Sequence, residues 1–221
     1  PLHKYGVSIV NVGSKALLRY VKIFTRNPDQ ENRTLPIKVA VITDLDIQQE
    51  ETENGEIQSK RRGKDSVVPN IEDESIELKE EFNSGDSRIK VFHSPLWTME
   101  YDIATGELAR LMNQATMIAR LSQSRTKNGV FSGLTEEDVK EKKQEADEEY
   151  DCWKREEVSD ERIGYSIYER LQNGKASKTV TAQWFARLLK EKKDEVKPIL
   201  LRDTKIKYIV DAIYHVTKPD D

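Results

Sequence analysis

The sequence predicts an α/β fold, a parallel sheet with flanking helices, to which a polar insertion and a helical carboxy-terminal subdomain are added. Three observations carry that expectation. Two runs rich in β-branched residues, at 6–12 and 37–43, bracket a stretch with helical spacing. That is the pattern of a strand–helix–strand unit with parallel strands. The run at 37–43 is almost continuously apolar, as a strand covered on both faces should be. From Leu108 onward, apolar residues recur mostly at helical spacing.

Taken in order, Gly6 to Val12 reads as a first strand, broken by Gly13 and Ser14. Ser14 can cap a helix over 15–24, whose Leu17, Leu18, Val21 and Phe24 share one face. Residues 25–35 contain Asn, Asp and Pro and read as a loop. Ile37 to Thr43 is the second strand, and it runs directly into Asp44-Leu45-Asp46. Residues 47–88 are rich in Glu, Lys, Asn, Ser and Gly, with a basic knot at Lys60, Arg61, Arg62 and Lys64. They read as a polar, mobile insertion with one short helix near its end. A third strand is expected at 89–93 and an amphipathic helix from Leu108 to Leu121. Thr135 starts a highly charged helix to about Arg155. Further helices are expected at 160–171, from Ser177 or Thr179 through Leu189, and as one last helix from about Lys197 past Tyr214.

The charge balance narrows the function. Forty acidic residues against 36 basic ones leave a net charge of −4, so no global basic field attracts a polyanion. Nucleic acid, if bound, must be held by a local patch or by metal ions bridging to phosphate. The single cysteine, Cys152, excludes an internal disulfide and fits a reducing cytoplasm. No apolar run is long enough to span a membrane. The chain starts at Pro1 with a strand almost at once, which reads as the middle of a larger protein.

Asp44 and Asp46 are the sharpest chemical signal. Just past the end of a buried strand, two carboxylates at this spacing can converge on one hard cation. The bland alternative is a turn-capping Asp44 with a solvated Asp46. Glu100 and Asp102 form a second acidic pair after the third strand, which parallel pairing would bring to the same sheet edge. Two-metal phosphoryl chemistry needs several carboxylates around cations roughly 4 Å apart. A helix amino terminus also favours acids, and Glu100, with the longer arm, is the better functional candidate. Lys175 and Lys178 could stabilise charge developing on a phosphate, or be solvated lysines at a helix start. Gly174-Lys175 lacks the preceding glycine of a phosphate loop. His3, His93 and His215 have no ligand spacing, and Cys152 sits in a charged helix without a base. Trp97, Trp153 and Trp184 read as packing residues. Lys60, Arg61 and Arg62 could touch a nucleic-acid backbone or be a solvated loop.

Three segments carry a family resemblance. Gly6-Val-Ser-Ile-Val-Asn-Val-Gly13 followed by Val39-Ala-Val-Ile-Thr-Asp-Leu-Asp46 resembles the Toprim half of OLD-family (overcoming lysogenization defect) nucleases. Thr98-Met-Glu-Tyr-Asp-Ile-Ala104 and Ser177-Lys-Thr-Val-Thr-Ala-Gln-Trp-Phe-Ala186 resemble later segments of the same family, in its order. The resemblance implies a Toprim-like core over 1–125, with 47–88 as insertion, and a helical part over 126–221 that lends a lysine to the site. It further implies an endonuclease of phage defence that cleaves DNA with two Mg²⁺ or Mn²⁺ ions. An upstream ABC-type ATPase domain would supply ATP dependence. On this resemblance Asp44 and Asp46 hold one cation, Glu100 with Asp102 helps hold the second, and Lys178 or Lys175 is catalytic. Ser14, at a position often glycine in the family, becomes a candidate DNA contact, and a homo-oligomer is expected. The resemblance also implies a glutamate on a strand before Gly6, for which this chain offers no position. Two rivals stay open: another Asp-dependent phosphoryl-transfer enzyme, and a catalytically incomplete Toprim module for partner binding or dimerisation.

Overall fold

A computed structural model describes residues 2–13, 17–24, 37–61, 79–80, 88–127, 130–131 and 133–218. A 3₁₀ turn at Leu2–Tyr5 precedes helix α1 (Leu17–Phe24) and strand β1 (Val39–Thr43). Strands β2 (Ile47–Glu51), β3 (Ile57–Arg61) and β4 (Ile89–His93) follow. Helices α2 (Met99–Thr105) and α3 (Ala109–Ser124) lead to the short strands β5 (Thr126–Lys127) and β6 (Val130–Phe131). The chain ends in α4 (Glu136–Arg155), α5 (Asp160–Gln172), α6 (Lys178–Glu191), α7 (Lys193–Arg202) and α8 (Lys207–Thr217). No helix among the described residues is long and apolar enough to cross a membrane.

The α/β class stands. β1 and β4 pair in parallel, in the register Val41 to Val91 and Thr43 to His93. Side chains alternate across a strand, so Val39, Val41, Ile89 and Val91 share one face. That face is covered by Leu17, Val21 and Phe24 of α1. The opposite face carries Phe92, whose ring lies 5.8 Å from that of His215 on α8. His215 Nε2 sits 2.9 Å from the carbonyl of Arg88, and Lys38 Nζ donates to the carbonyl of Lys218 at 2.8 Å. Both bonds tie α8 to the sheet.

Three expectations are corrected. The stretch 6–12 is not a strand: residues 7–13 are irregular, with Ile9 81% and Val10 72% exposed. β-branched residues favour a pleated, half-buried surface, and no strand among the described residues pairs with this stretch to provide one. The parallel sheet is therefore β1 with β4, and not a βαβ unit starting at Gly6.

Next, the beginning of the polar insertion is ordered. β2 and β3 form an antiparallel hairpin, Ile47 opposite Arg61 and Glu51 opposite Ile57. Its turn holds Asn54-Gly55, and Gly55 takes φ +81, a conformation glycine adopts at little cost. Arg162 of α5 pins the turn by donating to the carbonyl of Gly55 at 2.8 Å and pairing with Glu51 at 2.5 Å. Most of the remaining insertion, including Arg62, Lys64 and most of its expected short helix, lies outside the described residues.

The last helix, finally, is two. Asp203 breaks it, because its carboxylate accepts the N–H groups of Glu107 and Lys205, each at 2.9 Å. Helices α1, α3, α4, α5 and α6 form where they are expected, and α2 is a short helix added to them. Thr135 and Asp138 make a reciprocal capping box at the start of α4, and Ser177, not Thr179, caps α6.

The larger core lies between α2, α3, α5 and α6, around Tyr101, Leu108, Ile167 and Leu188. Trp97 is in it, its ring 4.5 Å from that of Tyr168. This core fixes α2, and α2 carries Glu100 and Asp102.

Candidate functional site

The parallel register sets the site. β1 and β4 end level with each other, and the chain beyond them is stapled across the gap. Ser94 donates its N–H to the carbonyl of Thr43 at 3.0 Å, and its hydroxyl accepts the N–H of Leu45 at 2.8 Å. Asp46 donates its N–H to the carbonyl of Trp97 at 3.0 Å and takes φ +64, which is uncommon for a residue other than glycine. The Asp44-Leu45-Asp46 turn is thus held in an unusual backbone by the start of the next element. Strain of this kind collects at functional sites.

Asp44 Oδ1 accepts the N–H of Met99, the first residue of α2, at 3.1 Å. Glu100 follows in the same turn, and Lys178, the first residue of α6, places Nζ 3.4 Å from Glu100 Oε1. A cleft of about 510 Å³ gathers Asp44, Asp46, Glu100 and Tyr208 with residues 10–13 and Ile42. A depression of about 550 Å³ lies elsewhere, between the Gly55 turn and the start of α5, and shares no residue with it.

The electrostatics of the cleft are those of crowded acids. Burial raises the carboxyl pKa of Asp44; the Met99 N–H opposes this, Glu100 raises it again, Lys178 lowers it and Asp46 raises it. Asp44 still opens on solvent on one side. Asp102 is fully buried, and neither of its oxygens makes a well-formed hydrogen bond. Burial, then Asp44, pushes it up to about 8, against Lys205 and the backbone N–H groups of Trp97 and Leu96. Lys178 is held above its ordinary pKa: burial works against its charge, but Glu100 and Tyr168 outweigh it.

Asp102 makes stability depend on pH. Its folded pKa exceeds its unfolded one, so between about 4 and 8 the folded chain keeps a proton that the unfolded chain has released. Folding stability from this group is fully present below the unfolded value and is lost as pH rises through the folded one. In chelator, the chain is expected to melt at a higher temperature at pH 5 than at pH 8, and Asp102→Asn to reduce that difference. An unchanged difference in the variant would remove Asp102 as its source.

The candidate residues separate clearly. Asp44, Asp46, Glu100 and Lys178 come together, with Asp102 behind Asp44. Lys175 is exposed in the turn before α6. Lys60 pairs with Glu50 at 2.6 Å on the hairpin, Arg61 ends β3, and Ser14 and Arg62 lie outside the described residues. Ser94 and Tyr208 were not expected. Ser94 had a signal, the Ser-Pro break after β4, whereas one tyrosine in a late helix has none.

Among the described residues, no three His, Cys, Asp or Glu side chains stand ready as a metal ligand set. The donor chemistry nonetheless fits a hard divalent cation. Such ions take a few carboxylates, keep several waters and share a substrate phosphate, which an open acidic cleft allows. Thiolates and grouped imidazoles, the usual sign of zinc, do not line it.

Comparison with known proteins agrees at one end of the chain. Residues 1–46 match the family model described as Overcoming lysogenization defect protein-like, TOPRIM domain. The match ends on Asp46, so it takes in Asp44 but not Glu100, Asp102 or Lys178. No curated protein and no solved structure matches the chain. The match points to a metal-binding domain of the nuclease and primase type, and the amino-terminal 46 residues are an OLD-family Toprim region.

Proposed function

We propose that this chain is the nuclease part of a larger ATP-dependent DNA endonuclease, cutting phosphodiester bonds with two Mg²⁺ or Mn²⁺ ions. The observation that carries the reading is the convergence of Asp44, Asp46 and Glu100 at the ends of two parallel strands, with Lys178 Nζ 3.4 Å from Glu100. Asp44 and Asp46 would hold one cation and Glu100 part of the second. Bound cations supply Lewis acidity and a water of lowered pKa. The chain's own residues do the rest. The Ser94 and Met99 bonds fix where the carboxylates point, and Lys178 brings positive charge to where a phosphate would gather electrons. DNA is the proposed substrate, and the ATPase is proposed to precede this region.

The test is cleavage of supercoiled plasmid by the chain, alone and joined to its ATPase region, with Mn²⁺ and with chelator. Hydrolysis of a small phosphomonoester in place of plasmid would instead favour another phosphoryl-transfer enzyme. Lys178→Met should slow cleavage by about 10²-fold. Lys175→Met should change it far less. Equal losses in the two variants would end the assignment of Lys178.

A second reading, a module for dimerisation, has the exposed Ile9, Val10 and Ile42 in its favour. Light scattering that finds only monomers would remove it.

A further inference from the structure

Lys178 stands where a helix does not favour a lysine. It is the first residue of α6, and no acid accompanies it in that first turn. The amino-terminal end of a helix carries partial positive charge, which disfavours a cation there. Its charge is met from two other elements. Glu100 Oε1 of α2 lies 3.4 Å from Nζ, and Nζ lies over the ring of Tyr168 on α5, 5.3 Å from its centroid. At that range an aromatic face attracts an ammonium.

The two partners differ once the cleft is in use. The Lys178 side chain is 47% exposed, and an ion pair so open to water holds a flexible lysine weakly. Glu100 is also the carboxylate proposed to hold a second cation, and a divalent ion competes with the ammonium for its charge. The ring has no such second duty. Tyr168 is buried and wedged between aromatic neighbours, edge-on to Trp97 at 4.5 Å and to Tyr101 at 5.8 Å. Those neighbours belong to the cleft. The Trp97 carbonyl accepts the N–H of Asp46, and Tyr101 follows Glu100 in α2. One aromatic cluster therefore backs the Asp46 turn, the start of α2 and the start of α6.

We propose that Tyr168 is a positioning residue of this cleft: the face of its ring holds the Lys178 ammonium in place for a substrate phosphate while Glu100 is engaged by a cation. The proposal rests on the nuclease reading above.

The first readout needs no activity. Reductive methylation of the full chain with isotope-labelled formaldehyde gives each lysine a dimethylammonium that keeps its charge. NMR then reports the Lys178 methyls, identified by the signal that Lys178→Met lacks. Over an aromatic face these methyls resonate upfield of a solvated lysine. The upfield shift is expected in native protein, with and without Mg²⁺, and in Tyr168→Phe, which keeps the ring. It should vanish in Tyr168→Leu. The second readout is plasmid cleavage with Mg²⁺. Tyr168→Leu should slow it about 2–10-fold, Tyr168→Phe less, and Tyr168→Leu should add no loss to Lys178→Met. An unshifted native signal, or one lost on adding Mg²⁺, overturns the proposal even where Tyr168→Leu fails to fold. The same loss with and without Lys178 also overturns it, because Tyr168 then acts by packing alone. A shifted signal in a native protein that cuts no plasmid, alone or joined to its ATPase region, overturns the nuclease reading and the use proposed for the contact.

Discussion

Asp44→Asn is expected to abolish Mn²⁺-dependent plasmid cleavage, a loss of at least about 10²–10³-fold, the scale set by removing one preorganised electrostatic group. The substitution isolates charge from shape. Asparagine keeps the side-chain oxygen that accepts the Met99 N–H, so the junction of β1 with α2 can persist. It also removes one negative charge from a carboxyl already crowded by Glu100 and Asp46. The variant should therefore melt no lower than the native chain while binding Mn²⁺ poorly. Stability and function would move in opposite directions, as they do where a site is held against its own repulsion. Cleavage that survives in Asp44→Asn would place the chemistry elsewhere in the chain. A variant that loses both activity and stability would make Asp44 a residue of the fold.

Gly164→Ala is expected to destabilise the chain by about 1–3 kcal/mol or more, the range for overpacking a tight contact. Helix propensity alone argues the other way, since alanine favours an exposed helix by about 1 kcal/mol over glycine. The packing decides. Gly164 is buried in α5 where that helix crosses α2, and a Cβ there would overlap the Thr105 methyl. It would also stand 3.1 Å from the backbone nitrogen of Thr105 and 3.2 Å from the carbonyl carbon of Ala104. A side chain can turn away, but a helix backbone cannot. Thr105→Ser removes the methyl and keeps the hydroxyl that donates to the Asp102 carbonyl. It should rescue Gly164→Ala only in part. Urea unfolding of the two single variants and the double variant checks this, and full rescue would show that the backbone contact has room to relax. Because α2 carries Glu100, Gly164→Ala should also weaken Mn²⁺ binding.

Much of the fold could be read from local chemistry. The continuous apolar run before Asp44, the Ser-Pro break after β4 and the Thr135 and Ser177 caps each have a signal within a few residues. The errors arise where distant parts decide. Nothing within 6–12 shows whether a neighbouring strand will pair with it. The helix expected past Lys197 breaks because Asp203 finds Glu107, almost a hundred residues earlier. The β2–β3 hairpin is different: Asn54-Gly55 was a readable turn signal, but the residues on either side are polar apart from Ile47 and Ile57 and show no strand alternation. In the site, Asp44 and Asp46 had a strong local pattern. The placing of Glu100 beside them rested on the parallel sheet, that of Lys178 on the family resemblance, and Tyr208 could be found only by packing.

The bonds from Lys38 to Lys218 and from Arg88 to His215 join points 180 and 127 residues apart. During synthesis, Asp44 and Glu100 leave the ribosome long before α8 exists to cover the sheet. Tyr208 arrives roughly a hundred residues after Glu100, and closing so long a loop is slow compared with forming local helices. The acids are thus laid down early and enclosed late. A chain whose synthesis stops before α8 carries Asp44 and Glu100 without the Tyr208 wall of their cleft, so the order of synthesis itself delays the completion of that cleft.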